Sequence, residues 1–140
     1  MADHILAGSI QENDWWKKLV LACARLDEPF QIHCWKDEST EIKMLAPFAV
    51  PKSFPWKHGI VFEGRISKEF LGFLCALPKP EARDGYNKMT PFFTIVLGEA
   101  MESCHYGTEI YLAKKNPEQL QQIEKILSEI ESRCLLHRNL

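Results

Sequence analysis

No stretch of this 140-residue chain approaches the roughly eighteen uncharged apolar residues that a membrane-spanning helix requires. Neither sign of charge is in excess, with 17 Lys and Arg against 19 Asp and Glu for a formal net charge of −2. No segment collects one sign, and phosphate neutralisation needs a clustered basic surface, so nucleic acid is not an expected partner. The start, Met1-Ala2-Asp3-His4, lacks a basic stretch followed by an apolar run. A cytoplasmic protein without membrane contact is therefore expected. There is no Gly/Ser linker, repeat or low-complexity run, so a single globular domain over residues 1–140 is expected.

Signature motifs are absent as well. The chain has no Gly-x-Gly-x-x-Gly, no Gly-x-x-x-x-Gly-Lys-Ser/Thr, no Gly-x-Ser-x-Gly and no His-Glu-x-x-His. Phosphate-cradling, nucleotide, serine-hydrolase and zincin chemistry each lack their parts, so no cofactor is expected and the reading leans away from an enzyme. Five cysteines, Cys23, Cys34, Cys75, Cys104 and Cys134, are an odd number spread along apolar runs. In a chain long enough to need no staples they read as free thiols in a reducing compartment.

What is present is ordinary globular patterning, with 46% hydrophobic and 26% charged residues, away from the range of disorder. Residues 4–10 read as a short strand weakened by Gly8. Asn13 or Asp14 caps a helix over about 14–26, whose inward face carries Trp16, Leu19, Val20, Cys23 and Leu26. Phe30–Trp35 alternates with period two, and Asp37-Glu38-Ser39 turns it into 41–45 as an antiparallel hairpin. Pro47, Pro51 and Pro55 exclude a central strand and mark an extended surface loop from 47 to 56. Strands are expected at 59–66, 92–97 and 109–113. The run 70–77 fits either a strand or a short helix capped by Ser67, and a long loop follows from Pro78 to Pro91. Asn116 and Pro117 open a C-terminal helix over about 117–136 with a stripe at Leu120, Ile123, Leu127, Ile130 and Cys134. The expected fold is α+β: a mostly antiparallel sheet of four to six strands carrying both main helices on one face.

Three groups of residues are candidates for function. In the proline-stiffened segment, Phe54 and Trp56 would bind a partner protein at little ordering cost, with Trp15 as a further anchor and Asp37 and Glu38 on the rim. This favours a cytosolic inhibitor, immunity-type or adaptor protein that occludes or positions its partner. The alternative is a small cysteine-dependent enzyme in which Cys104 is the nucleophile and His58 or His33 the base. A metal site assembled from His33-Cys34, Cys104-His105 and Cys134 with His137 lacks paired ligand spacing and is not expected. A ligand-binding or structural subunit remains a further alternative, and self-association is left open.

Overall fold

The computed structural model describes residues 3–8, 10–52, 57–81, 86–113 and 117–138. Their elements are β1 (Asp3–Leu6), α1 (Asp14–Cys23), β2 (Pro29–Trp35), α2 (Ser39–Met44), β3 (Val50–Lys52), β4 (Gly59–Arg65), α3 (Lys68–Ala76), β5 (Thr94–Leu97), β6 (Met101–Cys104), β7 (Glu109–Leu112), α4 (Pro117–Ile130) and β8 (Leu135–His137). All strands join one antiparallel sheet of eight, in the order β3-β4-β2-β5-β6-β7-β1-β8.

Cross-strand register divides the sheet cleanly into two faces. Ile5 lies opposite Ile110, Ile110 opposite Ser103, Ser103 opposite Ile95 and Ile95 opposite Ile32, so these side chains share a face. The helices pack there. Trp16 of α1 reaches in to donate its indole N–H to Ser103 Oγ at 3.1 Å. Phe70 of α3 stacks on Phe30 of β2 with ring centres 3.8 Å apart. Ile123, Leu127 and Ile130 of α4 complete the buried cluster. The opposite face carries His4, Gln31, His33, Glu102, Cys104, Glu109 and Tyr111.

The sheet of four to six strands with a helix to residue 136 is thus corrected, among the described residues, to eight strands and four helices. The last helix stops at Ile130, because Leu136 pairs with Ile5 and His137 with His4 to cover what would be an open β1 edge. Arg138 pins this strand by ion pairs to Asp3 and Glu124. The first helix ends at Cys23, where Ala24 turns to extended backbone, so Leu26 is 50% exposed rather than inward. Asn13 occupies its cap position, yet the amide points into the core and donates to Met89 O at 2.9 Å.

The expected hairpin partner at 41–45 is helix α2 instead. Glu38 O accepts from Ile42 N, starting a helical turn, and β2 finds its partners in β4 and β5. Ser67 Oγ accepts from Phe70 N, which makes 68–76 helical. Within the proline segment, 50–52 forms an edge strand, a place where Pro51 costs no ladder bond on its outer side. The expected cap Asn116 lies outside the described residues.

Candidate functional site

Two strand ends and one tight turn meet at the end of the sheet. Trp35 closes β2, Phe93 leads into β5, and their rings pack at 5.0 Å. Next along the sheet, the β6–β7 hairpin turns through His105, Tyr106 and Gly107 with φ of 51°, 60° and 83°. Three successive left-handed residues are unusual, and for the two that carry a Cβ this costs about 1 kcal/mol or more each. Gly107 has no alternative: a Cβ there would come within 2.7 Å of Met89 Cβ.

The turn is held by its neighbours. Tyr106 N donates to Phe93 O, while Met89 N and Thr90 N both donate to Tyr106 O. The Tyr106 hydroxyl donates to Glu38 Oε2 at 3.0 Å, and Glu38 Oε1 accepts from Trp35 N at 2.8 Å. Burial, the hydrogen bond to Glu38 and the charges of Glu38 and Asp37 push the Tyr106 hydroxyl well above the usual tyrosine range. The ring meets Phe93 and Tyr86 edge-on at 5.2 and 5.6 Å, and Lys88 Nζ lies 3.9 Å above its centre.

These rings form the wall of a cleft of about 740 Å³, within the size range of binding pockets. Among the described residues, Glu41 from α2 and Pro80, Glu81 and Lys88 from the loop after α3 also line it. That loop is anchored from below: Lys79 Nζ donates to Asn87 Oδ1 at 2.6 Å, and Asn87 Nδ2 donates to Ile10 O at 2.6 Å. Asn87 thereby ties the described end of that loop to the segment after β1.

The residues singled out from the sequence are scattered. Phe54 and Trp56 lie outside the described residues. Trp15 sits in the core at 3% exposure, its indole donating to Glu12 O, and so offers no ring to a partner. Asp37 is exposed beside the cleft, while Glu38 is half-buried as the acceptor that fixes Trp35 and Tyr106. His58 packs on Trp35 with ring centres 6.3 Å apart.

Cys104 ends β6 rather than lying in an open loop. Burial first, then the charges of Glu102 and Glu109, push its thiol up to about 12, the reverse of what a nucleophile needs. His33 shares this face, but β5 lies between its strand and that of Cys104, a separation of roughly 10 Å at two strand spacings. Neither His33 nor His58 is brought to the thiol as a base. His105, the sequence neighbour, is engaged with Glu109 Oε2 at 3.1 Å, and His4 with Glu109 Oε1 at 3.1 Å.

Cys134 and His137 do not share a helical face, since the chain leaves helix at Ile130 and His137 stacks beside His4 on β8. Among the described residues no three His, Cys, Asp or Glu side chains are placed to hold a metal ion. All five cysteines are free thiols. No helix among the described residues is long and apolar enough to cross a membrane.

A second, apolar groove of about 310 Å³ lies between α1 and α4, where Leu21 is 56% exposed. It is bridged by the Lys18–Glu129 ion pair at 3.5 Å and holds no aromatic side chain. The end-of-sheet cleft combines rings, carboxylates and strained backbone, and is the stronger site. Compared with protein-family models, curated proteins and solved structures, the chain matches none of them.

Sequence reasoning missed Trp35, Glu41, Tyr86, Lys88, Phe93 and Tyr106 as a group. Two signals pointed there: the long loop from Pro78 to Pro91, and the Tyr106-Gly107 pair closing a hairpin between apolar strands.

Proposed function

We propose that this is a cytosolic protein-binding domain that occludes or positions a partner, and that the partner docks at the end-of-sheet cleft. The observation that carries this reading is the Tyr106 turn. A tyrosine in left-handed backbone, fastened by three backbone hydrogen bonds and a carboxylate, is a ring held ready at an energetic cost. Trp and Tyr set in a pocket with a charged rim are the side chains that dominate protein interfaces. The free thiols fit a reducing compartment.

The test is affinity capture from native cytosolic extract with the wild-type protein and with Trp35→Ala and Tyr86→Ala, each checked for folding by circular dichroism. Tyr86 is 42% exposed, so its truncation spares the core. The reading expects one stoichiometric protein partner, lost or weakened at least tenfold in both variants. Retention of that partner by both folded variants would contradict it.

A further inference from the structure

Helices α1 and α4 lie side by side and antiparallel. Lys18 pairs with Glu129 at 3.5 Å, while Arg25, just past α1, donates to Gln119 Oε1 at 3.3 Å, so numbering rises along one helix as it falls along the other. One furrow runs between them: its two parts, about 310 and 470 Å³, share Ala22 and Gln122 as lining. The inward sides of both helices are spent on the core, through Trp16, Leu19, Ile123 and Leu127. Large apolar groups nevertheless remain in water on the other side, with Leu120 of α4 46% exposed and Leu21 and Leu26 more open still.

This face complements itself under rotation. A two-fold axis along the furrow lays α1 of one copy on α4 of the other, again antiparallel and at the same level as within the chain. Each Lys18 then falls between two Glu129 carboxylates, its own and that of the second copy, so the four charges alternate in sign around the axis. Leu21 comes level with Ile126 of the second copy, over the apolar stretch of the furrow. Leu26 and Leu120, at the end marked by the Arg25–Gln119 hydrogen bond, come level with each other across the axis. Lys125 borders the apolar middle and has the stem to carry its ammonium to the rim.

We infer that two copies of this chain meet through α1 and α4, forming a four-helix bundle with antiparallel neighbours. This interface shares no lining residue with the end-of-sheet cleft, so both can be occupied at once. Its strength follows from its size. Helices of 10 and 14 residues lying side by side make a face roughly 15 to 20 Å long and about 20 Å wide. That is smaller than the roughly 800 Å² per partner of a standard interface, so the dimer is weak, with a dissociation constant on the order of 100 μM.

Sedimentation equilibrium of the full chain, from about 10 μM to about 1 mM to bracket that constant, tests the inference in reducing buffer, which keeps the free thiols from cross-linking copies. The mass should rise from one chain towards two. Leu21→Asp and Leu120→Asp, both at exposed positions and checked for folding by circular dichroism, should each weaken association at least tenfold, whereas Leu135→Asp on the β8 edge should leave it unchanged. Lys18→Glu and Glu129→Lys should each associate severalfold more weakly than wild type, and their equimolar mixture should regain wild-type strength. Both variants lose the pair within the chain, so the gain on mixing reads the pair between copies alone. A monomer throughout, a dimer indifferent to Leu21→Asp, one abolished by Leu135→Asp, or a mixture no tighter than its components would each overturn the inference.

Discussion

The Tyr106 hydroxyl donates to Glu38 Oε2 at 3.0 Å across 68 positions of sequence, joining the β6–β7 turn to the start of α2. Since Glu38 Oε1 also accepts from Trp35 N, one carboxylate sets the position of two aromatic walls. Tyr106→Phe removes one hydrogen bond to a charged group, a loss of about 1.5 kcal/mol. Glu38→Ala removes both acceptor roles and should cost more. Urea unfolding of the two variants and their double mutant checks this, with the double mutant expected to lose less than the sum of the singles.

Gly107 and Gly8 both have positive φ, at 83° and 54°, but differ in their surroundings. A Cβ at Gly8 meets nothing within 4 Å, whereas one at Gly107 meets Met89 Cβ at 2.7 Å and Trp16 Nε1 at 3.0 Å. Gly8→Ala should therefore cost only the backbone preference, about 1 kcal/mol. Gly107→Ala adds overpacking and should cost about 3 kcal/mol. Thermal and urea denaturation should rank the two variants in this order, and equal losses would contradict tight packing at Gly107.

Burial holds the His33 imidazole below its usual pKa, with Glu102 pulling the other way. The unfolded chain then binds a proton that the folded chain resists, so stability falls as pH drops below about 6.5 towards the lowered native value. Glu109 has its carboxyl lowered by Tyr111, His4 and His105. Its contribution is present above about 4.5 and is lost as pH falls through the lowered native value. Unfolding measured from pH 8 to 3 should show two declines, the upper flattened by His33→Gln and the lower by Glu109→Gln.

Cys104 provides a check on the cysteine-enzyme alternative. With its thiol pushed up to about 12, alkylation by iodoacetamide at pH 7.5 should be slower than that of a free cysteine peptide. Neutralising one of the two adjacent charges with Glu102→Gln should speed it. Reaction faster than the peptide would revive Cys104 as a nucleophile.

The sequence revealed those elements whose reasons are local. Alternation in Phe30–Trp35 and the stripe Ile123, Leu127 and Ile130 both identified their elements, because period follows directly from burial on one face. Elements decided by distant partners were not legible. Leu135–His137 is a strand only because β1 needs a neighbour, and Ser39–Met44 is a helix because Glu38 starts its turn while β4 takes the place beside β2. The cleft was hidden for the same reason. Trp35, Glu41, Tyr86 and Tyr106 span 71 positions and meet only once strand order is set, while Asp37-Glu38 was visible as a turn but not as the brace for two rings.

Amide hydrogen exchange on the free protein and on its complex with the captured partner tests the central claim most directly. Docking at the cleft predicts slowed exchange concentrated at residues 35–41, 86–93 and 104–108, with α1 and α4 unchanged. Protection confined to α1 and α4 around Leu21 and Ile126, with the cleft exchanging as before, would place the partner on the other groove and contradict the account.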